Sequence, residues 1–491
     1  MNTGQHFLFA TFFIYLLILL IIGWFAWRNT HNLADYILGG RKLGRWTAAL
    51  SAGASDMSGW LLLGLPGFAY LAGFEAIWIA IGLLIGTSLN WWLVAPRLRE
   101  YSVIKNNALT LPEFFEYHFN DQSHSLKLIS AVCILFFYVF YTSSGLVAGG
   151  KLFESVFGLP YHWAVFAGTL AILIYTVFGG FLAVCWTDLF QGLLMFLALV
   201  FVAFGSLKLA GGWDITLATM RIVDPSLLDL WHTTNMQPLT IITISSLLGW
   251  GLGYFGQPHI LTRFMAIDSV KNISSARWIA ILWTGICLIA AITVGFTGIA
   301  VLETPLTGSN VEKVYIELIA YILHPVPAGI CLAAILAAIM STADSQLLVA
   351  SSAVTEDIYR TFIKQNASQK DLVNMGRSTV IITALLAMWM AMEYEQNVLE
   401  LVAYAWAGFG AAFGPALLLV LYWKGCTCRG AIAGIITGGL TVILWHKQAG
   451  GIFDLYELIP GFLLAALANI FVSYLDRPGN KSAPLNSSAT Y

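Results

Sequence analysis

The sequence predicts an all-α polytopic membrane protein of about thirteen transmembrane helices, on three observations. Only 10% of the 491 residues are charged and 58% are hydrophobic, whereas soluble chains carry about 25% charged residues. Apolar windows near the roughly 20 residues that cross a bilayer recur along the whole length. Once those windows are numbered, the basic residues fall overwhelmingly on one side of the membrane.

The windows run, in order, over residues 7–27, 45–71, 74–96, 126–150, 161–182, 186–209, 239–259, 276–302, 322–356, 373–392, 397–423, 429–446 and 456–475. The first is preceded by MNTGQ, without the basic region of a secretory signal, and followed by Arg28. It reads as a retained helix with its N-terminus outside. On that orientation the cytoplasmic segments hold 19 of the 24 Lys and Arg, Arg263 among them, and the external segments hold Lys151, Lys208, Arg221, Lys313 and Lys447. A missed helix would invert every later loop and spoil the split, so the C-terminus is expected inside. The longest polar stretches, 97–125 and 210–238, are too short for a core of their own. One transmembrane domain therefore covers 1–476, and 477–491 reads as a disordered cytoplasmic tail.

Net charge is −2, so nothing suggests a nucleic-acid partner. The six cysteines are scattered, and Cys426 and Cys428 form a C-x-C without further ligands at metal spacing. No G-x-x-x-x-G-K-[ST] phosphate loop and no Ser/His/Asp or His/Glu arrangement stands out, so neither an ATPase nor a membrane enzyme is expected.

Two spans break the rules of a lipid-facing helix. The second opens SAGASDMSGW (51–60) and the seventh reads SLLGWGLGYFGQPH (246–259), with four glycines in eight residues before a proline. Such sequence weakens a helix and frees backbone groups that protein, water or ligand must satisfy. Broken helices in corresponding positions of two halves mark transporters built from inverted repeats. Breaks five spans apart suggest repeats over spans 2–6 (about 42–211) and 7–11 (about 239–423). Close helix packing alone accounts for glycine runs such as 430–439. It does not account for Asp56, since a carboxylate inside a membrane needs a partner or a task.

The ninth span holds AAILAAIMSTADSQLLVASS (333–352), where Ser341, Thr342, Asp344 and Ser345 cluster in an apolar helix. Hydroxyls there can bond back to their own helix, but the added carboxylate makes that reading poorer. Hard cations take oxygen ligands, and residues 338, 341, 342 and 345 share one helical face.

The stretches ILGGRKLG, SAGASDMSGWLLLGLPG, NNALTLPEFF, GGFLAVCWTD, GWGLGYFGQPHILTRFMA, LAAIMSTADSQLLVASS and AWAGFGAAFGPALL resemble the sodium/solute symporter family, most closely its bacterial sodium/proline symporters. The likeness runs unbroken from about residue 30 to 475. It implies a leucine-transporter-type fold, a bacterial inner-membrane location, Na⁺ as coupling ion and L-proline as substrate, with no obligate protein partner.

Carried over by position, the resemblance implies a sodium site made by the carbonyls of Ala54, Met57 and Ala338 and the hydroxyls of Ser341 and Thr342. It implies coupling roles for Asp56 and Arg41, and substrate contacts for Ser58, Gly59, Tyr141, Trp250, Tyr254 and Pro258. Asp188, Asp344 and Ser345 match a second cation site of some relatives, with Asp344 where a serine is expected. Asp188 and Asp344 would hold a second cation or share a proton; alternatively Asp344 faces a solvated vestibule. Other solutes (pantothenate, a betaine, a sugar) suit the same fold. A sensor role is disfavoured, because the chain stops about 15 residues after the last helix, leaving no room for a kinase domain.

Overall fold

The computed structural model describes residues 3–28, 37–176, 180–234, 236–392 and 397–476. Its order is α1 (Thr3–Arg28), α2 (Arg45–Asp56), α3 (Leu65–Ala72), α4 (Ala76–Leu89), α5 (Ala95–Ile104), α6 (Leu111–Phe119), α7 (Ser125–Phe157), α8 (Tyr161–Thr176), α9 (Phe181–Leu209) and α10 (Trp213–Val223). There follow α11 (Ile241–Gly249), α12 (Pro258–Ala266), α13 (Val270–Val301), α14 (Val314–Ile322), α15 (Pro325–Ser352), α16 (Gln369–Met390), α17 (Val398–Tyr422), α18 (Cys428–Trp445) and α19 (Leu458–Asp476). Among the described residues, ten helical stretches are long and apolar enough to cross a membrane. No strand occurs among them, in keeping with a lipid solvent that cannot satisfy an open sheet edge.

Local sequence sets the helix ends. Thr110 accepts the Glu113 N–H at 3.1 Å while Glu113 Oε2 accepts the Leu109 N–H at 2.7 Å, so the start of α6 is capped from both sides. Ser368 and Asp371 form a full capping box on α16. Pro112, Pro258 and Pro325 stand in the first turn of their helices, where a missing N–H costs nothing. Gly73 turns the chain between α3 and α4 at φ +57°, and a side chain there would run into the Leu227 backbone.

Both breaks fall where the sequence places them. α2 stops at Asp56, the chain leaves helical geometry at Met57 (φ −84°, ψ 79°), and a π-helical turn, Trp60–Gly64, leads into α3. α11 passes into a 3-10 segment, Trp250–Gly256, and Gln257 is extended (φ −79°, ψ 107°) before α12. α15 lies at the centre and is buried on every side from Leu332 to Ser352, as a helix apolar all round must be. It packs on α1, α7, α9 and α2, while α17 packs on the broken segment Trp250–Gly256. The two breaks are thereby enclosed by α7, α15 and α17.

Several expected boundaries move, four of them with consequences for the site or its charges. The seventh window ends at 259, but α12 continues to Ala266, so Arg263 lies inside a helix and is fully buried instead of sitting in a loop. The fourth ends at 150, but α7 continues to Phe157, and Lys151 is buried against Glu312 Oε2 at 2.6 Å. The ninth begins at Pro325, because His324 is extended ahead of the proline, and it continues through a π-helical Ala353–Ile363. The fifth overruns into α9, which begins at Phe181 after an extended Gly180. The tail 477–491 lies outside the described residues.

Candidate functional site

The first break gathers oxygen. Ser341 Oγ–H donates to the carbonyls of Ala54 (2.8 Å) and Ala338 (3.1 Å), and Thr342 Oγ1–H donates to Ala54 at 3.4 Å. Four of the five expected sodium ligands thus converge between α2 and α15, all of them buried. Met57, the fifth, is the residue at which the chain leaves helical geometry. Approach this close depends on small residues: a Cβ on Gly53 would stand 2.7 Å from the Trp283 ring, and one on Gly59 would stand 2.6 Å from Ala148 Cβ.

Asp56 joins the two breaks. Its Oδ2 accepts the Tyr254 hydroxyl at 2.7 Å, and its carbonyl accepts from Trp60 Nε1 (3.0 Å) and Tyr141 (3.5 Å). Its Oδ1 is buried without a hydrogen-bond partner. A buried carboxylate oxygen left unpaired is expensive, which marks it as an acceptor waiting for a donor. Ser58 and Gly59 lie in the same break, and Ser58 Oγ is 3.4 Å from the Trp60 backbone nitrogen.

At the second break, freed carbonyls are met by side chains. Trp406 Nε1–H donates to Trp250 O (2.8 Å), Gln257 Nε2–H to Gly253 O (3.1 Å), and Asn90 Nδ2–H to Tyr254 O (3.0 Å). Tyr254 meets the Trp406 ring edge-on at 5.0 Å, and Trp250 stacks on Tyr456 at 5.5 Å. The aromatic candidates therefore divide. Tyr141 and Tyr254 face Asp56, whereas Trp250 is held against Tyr456. Pro258 borders a narrow cavity with Thr110, Thr262, Ser352 and Asp357.

Arg41 lies away from these atoms and binds loops together. It adopts φ +55° and donates to Asn107 Oδ1 (2.8 Å), Ser102 Oγ (3.0 Å), Met265 O (2.6 Å) and Ala108 O (2.6 Å). It so ties the segment before α2 to the ends of α5 and α12. Burial, with Arg99 nearby, pushes its pKa down to about 10, which leaves it charged at neutral pH.

Asp188 and Ser345 are brought together, and Arg263 stands between them. Its Nη2–H donates to Asp188 Oδ2 at 3.0 Å and to Ser345 Oγ at 2.5 Å, while Ser51 Oγ–H donates to Asp188 Oδ2 at 2.6 Å. Asp344 Oδ1 accepts from Ser345 Oγ–H at 3.4 Å. Asp344 is fully buried in this structure, not solvated. Sequence reasoning missed Arg263, because a cation near the end of an apolar window reads as a loop charge. It also missed Trp406, Gln257 and Asn90, although Trp406 lies within the AWAGFG stretch and Gln257 immediately precedes Pro258.

Residues 36–438 match the sodium:solute symporter family. The chain is 50% identical over 473 residues to the sodium/proline symporter of Escherichia coli (strain K12), covering 95% of this chain and 93% of that protein. It is 48% identical to the high-affinity proline transporter PutP of Bacillus subtilis (strain 168), covering 93% and 96%. The substrate-bound, outward-open structure of a Na⁺-coupled sialic acid symporter superposes with a TM-score of 0.78 at 20% identity, over 96% of this chain and 98% of that one. The fold is thus of the leucine-transporter type. With its broken helices, its buried oxygen cluster and half its residues shared with a known member, this chain belongs to the sodium:solute symporter family of transporters.

Proposed function

We propose that the chain is a secondary active symporter of the bacterial inner membrane that carries one Na⁺ and one L-proline inward by alternating access. In this reading thirteen helices cross the lipid, with the N-terminus outside and the C-terminus inside. The repeats about 42–211 and 239–423 rock around the two breaks. The observation that carries it is the convergence of Ala54, Ala338, Ser341 and Thr342 oxygens beside the break that holds Asp56 and its unpartnered Oδ1. Names of the relatives supply the solute: one is called a sodium/proline symporter and the other a high-affinity proline transporter.

Sodium replaces the hydroxyl-to-carbonyl bonds with ion–oxygen contacts and so joins α15 to the end of α2. That fixes the break in which Asp56, Ser58 and Gly59 lie, and with it the solute pocket. The proline ammonium takes Asp56 Oδ1, the pyrrolidine lies against Tyr141 and Tyr254, and the carboxylate meets N–H groups freed at the break. Asp56 serves coupling by feeling both ligands, and Arg41 by holding the ends of α5 and α12 to the segment before α2. Trp250 and Pro258 shape the second break from outside the pocket, Trp250 stacked on Tyr456 and Pro258 beside Thr262 and Asp357. With one Na⁺ per cycle, 100 mV contributes ~2.3 kcal/mol and a tenfold gradient ~1.4 kcal/mol, enough for ~500-fold accumulation of a neutral solute.

The test is linkage. Each ligand should raise affinity for the other by the same factor. Proline binding to the purified protein, titrated in NaCl and in choline chloride, should tighten at least about tenfold with Na⁺, a linkage of about 1.4 kcal/mol. Betaine, pantothenate and sugars should not displace it. Equal proline affinity in both salts would refute the coupling, and displacement by another solute would move the substrate assignment.

A further inference from the structure

The guanidinium of Arg263 is placed where an ion would sit. It is wholly buried and spends its donors on Asp188 Oδ2 (3.0 Å), Ser345 Oγ (2.5 Å), Ser51 Oγ (3.1 Å) and the His259 carbonyl (2.9 Å). All four are oxygens, one of them a carboxylate, which is the donor set a hard cation takes. Ser51 lies three residues before Ala54 on α2, and Ser345 lies four residues after Ser341 on α15. Spacings of three and four keep a helical face, so this cluster repeats the sodium site one turn along the same two helices. Asp188 Oδ1 has no hydrogen-bond partner, an acceptor left over beyond what the arginine uses.

We propose, building on the Na⁺-coupled reading above, that Arg263 is a tethered resident cation in this inner position and limits the transporter to one Na⁺ per cycle. A free ion there would need Asp188, Ser51 and Ser345, and each is already turned to the guanidinium. Adding Na⁺ beside Arg263 would set two positive charges against each other in a fully buried site, where their repulsion is strong. Removing the guanidinium alone would strand Asp188 as a buried, unpaired charge. Na⁺ from solution is the replacement that restores neutrality, taking the oxygens the arginine leaves. Arg263 stands on α12 and so also pins the second half of that broken helix to α2, α9 and α15.

The experiment counts ²²Na⁺ bound to purified protein in lipid without proline, so the count does not depend on which solute is carried. Wild type should bind about one Na⁺ with a Hill slope near one. Arg263→Gln should bind about two, with a slope approaching two and a doubled Na⁺:solute flux ratio. Arg263→Lys, which keeps the charge, and Asp188→Asn/Arg263→Gln, which removes the demand for it, should each return to about one. One Na⁺ in folded Arg263→Gln, or two in wild type, would overturn the proposal while leaving Na⁺ coupling intact. Should Arg263→Gln unfold, NaCl should restore its melting temperature, and the double variant should fold without added salt. Failure of both rescues would likewise overturn it.

Discussion

The hydroxyls of Ser341 and Thr342 differ in reach, and that difference makes a prediction. Ser341 approaches the Ala54 carbonyl to 2.8 Å and Thr342 to 3.4 Å. Ser341→Ala should raise the Na⁺ concentration for half-maximal uptake by about tenfold or more, equivalent to about 1.4 kcal/mol or more. Thr342→Ala should raise it less, and at saturating Na⁺ the proline affinity of both should move little. Na⁺ titration of uptake checks the order. Asp56→Asn keeps an acceptor for Tyr254 but loses the charge offered to an ammonium. Uptake should fall by about a hundredfold with the fold retained, as loss of a charged partner worth roughly 2–3 kcal/mol requires. Outside the membrane-spanning segments, His446 Nδ1 lies 3.3 Å from Glu457 Oε1, and that bond raises the histidine pKa. A raised folded-state value means stabilisation present below the unfolded value, about 6.5, and lost as pH climbs through the folded one. The melting-temperature gap between wild type and His446→Gln should therefore be widest at or below about pH 6 and close by about pH 9.

At the scale of elements, the broken helices survive because their freed carbonyls are met from elsewhere. Trp406 from α17 serves Trp250, and Asn90, beyond the end of α4, serves Tyr254. Both donors reach across from other elements to the second break, where Gln257, from the break itself, meets the Gly253 carbonyl as well. Trp406→Phe keeps an aromatic ring, loses the pyrrole part of the indole and removes the donor, leaving a buried carbonyl unmet at about 1–3 kcal/mol. A lowered melting temperature with near-normal Na⁺ affinity is the expected result, since the indole serves the second break and the proposed sodium ligands lie at the first. A parallel thermal melt and Na⁺ titration of the same preparation checks both halves.

Across the whole molecule, lipid makes much of the architecture legible. A bilayer demands long apolar windows and forbids unexplained charge, so the spans, the breaks at 51–60 and 246–259, and Asp56 all show in the chain. The face shared by 338, 341, 342 and 345 is legible because hydroxyls interrupt an apolar helix there. Pairings between helices are not. Nothing local in Arg263 says that Asp188 and Ser345 receive it, and nothing in Trp406 says that its indole faces a carbonyl 156 residues earlier. Tyr141 and Tyr254 emerge beside Asp56, while Trp250 turns to Tyr456, a division that resemblance by position does not resolve.

On the proposed stoichiometry of one Na⁺ per zwitterionic solute, each cycle moves one net positive charge. The most direct measurement is uptake of labelled L-proline by proteoliposomes, with an inward Na⁺ gradient and the membrane potential set by potassium diffusion. The account predicts uptake that requires Na⁺ and whose accumulation rises ~50-fold for each 100 mV, interior negative, as ~2.3 kcal/mol per charge dictates. Proline accumulation indifferent to Na⁺, or to the potential, in a folded preparation would contradict it.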